Sequence, residues 1–212
     1  MLGITLQSFT PDTRETTLQH LLGHENLNGA TAQRAENGKP YLLASGGMRA
    51  GLAICHIRKS VPPLSLMAVS HEAQLGLDAE VWPSAHADLA FLNLIAANED
   101  AELIQRLRTT GRDAATFLWV IKESALKASG EVMTDPRNVS IEASTNGHFW
   151  ASASRAATGP VTEAFVRVWQ FNLKGWSEPS LVAVALSGPA AKAARRNGIS
   201  LEAVGLHLQP AF

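Results

Sequence analysis

An α+β fold built of two packed halves is what the sequence predicts. Its apolar spacing is strand-like up to about residue 82, helical from about 87 to 129, and strand-like again after Pro136. Helical and extended segments thus follow one another twice over, unlike the strict alternation that builds a parallel, doubly wound sheet. With 212 residues, 46% of them hydrophobic and 17% charged, the chain is long enough for a substantial core and too apolar to be disordered.

The elements follow in order. Leu18 to Leu22 reads as a short helix with Gly23 as its stop signal. Gln33 to Leu43 contains Asn37-Gly38, the strongest hairpin signal in the chain, and Pro40 behind it suits an edge strand. Strands are expected over Gly51 to Ile57, Leu64 to Ser70 and Leu75 to Trp82, with Pro62-Pro63 and His71 to Gln74 as breaks. A helix is expected from Ala87 to about Arg108. A second is expected from about Asp113 to Ser129, stopping at Gly130. Four further strands are expected at Val139 to Ala143, His148 to Ser154, Phe165 to Leu173 and Leu181 to Leu186. The Ala-rich, basic stretch from Pro189 to Gly198 reads as a last helix or a mobile tail.

Charge and cysteine content narrow the function classes. Eighteen Lys and Arg face nineteen Asp and Glu, so the basic excess of a general nucleic-acid binder is missing. The single cysteine, Cys55, forms no internal disulfide, which points to a reducing compartment. The start of the chain lacks a basic segment followed by an apolar run, and the longest apolar runs are strand-sized. A cytoplasmic protein with no membrane partner is expected.

Two segments carry chemistry. In Leu75-Gly76-Leu77-Asp78-Ala79-Glu80-Val81, alternation places Asp78 and Glu80 on one strand face, with Leu77, Ala79 and Val81 buried on the other. Two carboxylates about 7 Å apart along a strand repel when both are ionised. A hard divalent cation relieves that repulsion, and Mg²⁺ prefers such oxygen ligands. The plain alternative is a solvent-facing pair of acids. In the segment 117–128, a spacing of about 100° per residue sends Phe117, Leu118, Ile121, Ala125 and Ala128 to one side. Trp119, Glu123 and Lys127 then form a separate stripe. That stripe is either a surface ion pair worth about 0.3–0.5 kcal/mol, or a functional face whose tryptophan another domain or a ligand covers.

Taken together, these segments resemble the 4′-phosphopantetheinyl transferase family, in its longer, Sfp-like branch. Gly76, Asp78 and Glu80 meet the family's Gly-x-Asp-x-Glu pattern. Trp119, Lys122, Glu123 and Lys127 meet its helix pattern, and Gly38-Lys39-Pro40 meets a third, upstream element. The resemblance spans roughly residues 37–130. A Ser-His pair at a strand end also belongs to the family, and Ser70-His71 matches it literally. Only six residues separate His71 from Asp78, too few for the strand the family has there, so the role is assigned to His56, with Cys55 in place of the serine. Departures are an inserted segment at 58–63, Val132 where a glycine is usual, and a short leading segment in which Arg14 is a weak match for the family's phosphate-binding residues.

The resemblance implies transfer of the phosphopantetheine arm of coenzyme A to a serine of an apo acyl or peptidyl carrier protein. It implies Asp78, Glu80 and Glu123 as ligands of Mg²⁺ or Mn²⁺, with Glu123 and Lys127 as catalytic residues. Gly38, Lys39, Pro40, Cys55 and His56 would bind the coenzyme. It further implies a monomer of two halves related by a pseudo-two-fold. These comprise residues 1–75 and residues 76–212, the latter with a tail from about 189. Arg106, Arg108 and Arg112 are expected either to dock an acidic carrier or to form a solvated helix end. Two rival readings remain at this level: a Mg²⁺-dependent phosphohydrolase or nuclease, since clustered acids and a lysine also suit water attack on a phosphodiester, and a carrier-binding domain without turnover.

Overall fold

The computed structural model describes residues 2–57, 63–72, 74–81, 89–130, 135–143, 148–154, 161–172 and 179–211. In chain order these form β1 (Leu2–Phe9), α1 (Arg14–His24), β2 (Thr31–Arg34), β3 (Pro40–Leu43), β4 (Arg49–Ile57), β5 (Leu64–Ser70) and β6 (Leu75–Val81). There follow α2 (Leu89–Ile95), α3 (Ala101–Thr109), α4 (Ala114–Ser129), β7 (Val139–Ala143), β8 (His148–Ser154), β9 (Val161–Phe171), β10 (Ser180–Ser187), α5 (Pro189–Asn197), β11 (Ile199–Val204) and β12 (Leu208–Pro210). The fold is therefore α+β. No helix among the described residues is long and apolar enough to cross a membrane.

The strands form two sheets. The first has the order β11-β1-β5-β4-β3-β2 and the second β6-β10-β9-β8-β7, with β12 added against β9. Pairing is antiparallel except between β1 and β11. Strand alternation sorts the side chains into three cores. Leu18, Leu21 and Leu22 of α1 pack on Leu52, Met67 and Val69 of the first sheet. Phe117, Val120 and Ile121 of α4 pack on Val166, Val168 and Ala183 of the second. Between the sheets, Ala53, Cys55 and Leu66 meet Leu77, Ala79, Val182 and Val184. The order of layers is α1, first sheet, second sheet, α4.

Several sequence expectations are revised. The helix expected from Ala87 to Arg108 is two helices, because the buried Asp100 caps a 3-10 turn at Asn98–Asp100 by accepting a 2.8 Å hydrogen bond from the Ala97 amide. Ala87 itself, like Trp82, Val132, Leu173, Trp176 and most of the inserted segment 58–63, lies outside the described residues. Gly23 lies inside α1 rather than ending it. Pro40 is not on the edge strand; β2 is the edge, and Pro40 opens β3, where its missing amide costs the ladder least. The stretch from Pro189 is a helix followed by β11, and β11 returns to the first sheet beside β1. The chain crosses between sheets from β5 to β6, beside the expected 75/76 boundary, but residues 199–204 rejoin the first sheet.

Candidate functional site

The site starts from one glycine. A Cβ on Gly76 would lie 2.0 Å from the Ser124 carbonyl oxygen and 2.5 Å from the Ala128 amide nitrogen of α4. Only a residue without a side chain lets β6 and the helix backbone approach this closely. Asp78 projects from the same strand face two residues on. There Lys127 Nζ reaches Asp78 Oδ1 at 2.6 Å and Glu123 Oε2 at 3.6 Å. Gly76→Ala must push the helix off the strand, so it is expected to destabilise the protein by about 1–3 kcal/mol or more. Urea unfolding of the variant checks this, and unchanged stability would show that the contact yields freely.

The acids are not a solvated pair. Every residue of β6 is buried, and Asp78 and Glu80 are only 7% and 8% exposed, because α4 covers the face they occupy. Burial pushes the Asp78 carboxyl up to about 7, against the pull of Lys127 and with the charges of Glu123 and Glu80 adding to the rise. Burial alone would lower Lys127, but Asp78 and Glu123 outweigh it and hold the ammonium above its ordinary range. One ammonium thus stands between two carboxylates, Asp78 and Glu123. Asp78 Oδ2 is buried without a hydrogen-bond partner among the described residues. Among those residues no three His, Cys, Asp or Glu side chains stand in a metal-ligand arrangement, and Lys127 bridges two of the expected ligands. The orphaned oxygen and the acid surplus nevertheless fit a divalent cation that takes oxygen ligands.

The upstream motif meets the same helix from the first sheet. Gly38 adopts φ 80° in the β2–β3 turn, closed by hydrogen bonds from Ala35 N to Lys39 O (2.9 Å) and from Gly38 N to Ala35 O (2.8 Å). This turn presents Asn37 and Lys39 to the end of α4. Asn37 Nδ2 donates to the Gly130 carbonyl at 3.2 Å, and Lys39 Nζ donates to the Ala128 carbonyl. Burial lowers the Lys39 ammonium to about 8. Gly38, Lys39, Pro40 and Lys127 line one cavity of about 260 Å³, floored by Leu75 and Leu77.

A second cavity of about 590 Å³ shares Pro40 and Ile54 with the first and holds His56, Arg14 and Arg34. His56 Nδ1 and Ser65 Oγ share a 2.6 Å hydrogen bond across the β4–β5 ladder. His71 sits at the opposite end of β5, where it bonds the Glu25 carbonyl at 2.8 Å. Cys55 does not join His56, since alternation turns it into the core between the sheets. Burial there, together with the charge of Asp78, pushes its thiol far up. Arg14, only a weak match in the sequence, opens α1 and faces this cavity. Arg34 was missed; it donates to the Gly38 carbonyl at 2.8 Å, and its only sequence signal is its place just before the hairpin turn.

Trp119 and Lys122 serve the fold. The Phe91 ring of α2 covers Trp119 edge to face at 5.3 Å, so no ligand or cleft is required to shield it. Lys122 is fully buried and pairs with the equally buried Asp100 at 2.6 Å. Arg106 and Arg108 are exposed on α3, while Arg112 lies over the Phe117 ring at 5.6 Å. No model of a known protein family matches the chain, and no curated protein matches it either.

Proposed function

We propose that the chain transfers the 4′-phosphopantetheine arm of coenzyme A to a serine hydroxyl of an apo carrier protein, releasing adenosine 3′,5′-bisphosphate. One observation carries this reading: three motifs about forty residues apart in the sequence converge on the last turns of α4. Lys127 reaches Asp78, and Asn37 and Lys39 reach the Gly130 and Ala128 carbonyls. The resemblance in the sequence thus coincides with a contact in space.

The chemistry follows from these side chains. The serine Oγ attacks the β-phosphorus of the pyrophosphate, the bond from that phosphorus to the bridging oxygen breaks, and the adenosine bisphosphate carries the charge away. Glu123, on the open side of α4 and 23% exposed, accepts the serine proton. Lys127 neutralises oxygen charge on the transferring phosphate. Lys39 binds the pyrophosphate from the first sheet, and His56, Arg14 and Arg34 bind the remaining phosphate of the coenzyme. Asp78, Glu80 and Glu123 would hold Mg²⁺ or Mn²⁺, which when bound screens the pyrophosphate charge. In this reading the two sheets form halves related by a pseudo-two-fold, and the protein acts as a cytoplasmic monomer.

The test is intact-mass measurement of apo carrier proteins incubated with the chain, coenzyme A and Mg²⁺. The expected result is a gain of one phosphopantetheine arm that EDTA abolishes. Hydrolysis of coenzyme A without transfer would favour a phosphohydrolase. Carrier binding without any turnover would favour a scaffold. A pH series adds a second check. Below about 7 the Asp78 carboxyl of the metal-free chain takes up a proton and loses its charge, so the affinity for Mg²⁺, measured by calorimetric titration, is expected to fall as the pH drops through that range.

A further inference from the structure

A third cavity, of about 670 Å³, shares no lining residue with the two described above. It opens where the start of β8, the middle of β9 and the end of α5 meet. Four arginines line it against a single carboxylate, that of Glu142: Arg106, Arg167, Arg195 and Arg196. The whole chain has balanced charge, so a third of its twelve arginines at one concavity is a local concentration. Arg195 and Arg196 also lie in the last turn of α5, where cations offset the helix dipole. That explains those two, but not Arg167, a strand residue that enters beneath them.

Two of the arginines, Arg167 and Arg195, are oriented by aromatic rings. The Arg195 guanidinium stacks over the buried Trp150 ring at 4.6 Å, and its 3.8 Å approach to Glu142 is a loose, exposed ion pair. Arg167 lies over Trp169 at 4.9 Å and donates to the Ile199 carbonyl at 2.8 Å. Stacking on an aromatic face leaves the in-plane N–H edges of a guanidinium available to a ligand. His148 faces Arg167 directly across the β8–β9 ladder. Its Nε2 is buried with no hydrogen-bond partner among the described residues. Burial and the Arg167 charge together hold the imidazole below its ordinary value, hence neutral. With its proton on Nε2 the neutral ring presents a buried donor beside the guanidiniums, which suits an oxyanion acceptor.

We propose that this cavity binds a small molecule carrying two or more adjacent oxyanions, held by Arg167, Arg195 and Arg196 and by His148. Planar guanidinium forks pair best with phosphate or carboxylate oxygens in bidentate fashion. The inference is independent of the proposed transferase activity, because the cavity lies outside that site.

The experiment follows the arginine Nε–H signals of the ¹⁵N-labelled full chain by NMR during separate titrations with pyrophosphate and with citrate. Expected is a saturable shift of the Arg167 and Arg195 signals with at least one of them. The phosphate and carboxylate arms tell a phosphate ester from a polycarboxylate. The double variant Arg195→Gln/Arg196→Gln, altered at exposed positions, should weaken that binding by at least about tenfold. Arg108→Gln, outside the cavity, should leave it unchanged. Saturation of the Arg14 and Arg34 signals alone would overturn the proposal, as would uniform, non-saturating shifts of all arginines. Saturation by an acidic peptide but by neither small anion would overturn it as well.

Discussion

Replacing Asp78 with asparagine is expected to lower phosphopantetheinyl transfer by about a thousandfold or more while the chain stays folded. Asparagine keeps the shape of the side chain between β6 and α4. It removes the charge that positions Lys127 at 2.6 Å and leaves that ammonium with Glu123 alone. It also removes the anionic Oδ2, the buried oxygen without a hydrogen-bond partner. Stability should change little, by roughly 1 kcal/mol or less, because the lost ion pair is offset by relief from burying a carboxylate. That burial cost is what pushes the Asp78 carboxyl up to about 7. Initial rates by intact mass, beside urea unfolding, separate the two effects. Full transfer by the variant would remove Asp78 from the chemistry.

Lys122→Met is expected to act the other way, costing about 3–5 kcal/mol of stability with turnover per folded molecule kept. The Lys122 ammonium bonds Asp100 at 2.6 Å and the Ile95 and Pro136 carbonyls at 2.7 and 3.0 Å. Asp100 in turn accepts hydrogen bonds from the Ala97 amide (2.8 Å) and the Ile141 amide (3.0 Å). The pair therefore ties α2, α4, the turn before α3 and β7 together in the interior. Removing the cation strands a carboxylate that is wholly buried. Adding Asp100→Asn should recover part of the loss, since neither partner is then an unpaired charge. Denaturant midpoints of the single and double variants measure this. Equal stability of Lys122→Met and the unmodified chain would mean the pair holds nothing together. Lys122 and Glu123 are sequence neighbours within one motif, yet the helix turns one inward to support the fold and leaves the other facing the site.

Features governed by local rules were legible in the sequence. The limits of α4 follow from Asp113, which caps it by accepting from the Ala115 amide at 3.0 Å, and from Gly130, which ends it at φ 79°. The strand at Leu64–Ser70 follows from a short apolar run behind the Pro62-Pro63 break, and those at Val139–Ala143 and His148–Ser154 from their extended pattern after Pro136. The motif pattern singled out Asp78 and Lys127 separately, one as a metal ligand and the other as a catalytic residue, and it is the structure that pairs them. Nothing in that pattern indicated that Gly76 is what brings strand and helix close enough for the pairing.

By itself the sequence determined the α+β class, most element types, and which carboxylates, lysines and histidine are candidates for chemistry. These rest on the periods of helix and strand and on caps, which act over a few residues. Only the tertiary structure decided that Asp78 and Glu80 are buried beneath α4 and that Asp100 divides the helix before it. It likewise decided that Cys55 turns away from His56, that Arg34 joins Arg14, and that β11 closes the first sheet against β1. Each of these is a contact between residues distant in the chain. Its free energy depends on what water is excluded and which charge is paired, and neither is encoded in the spacing of a single segment.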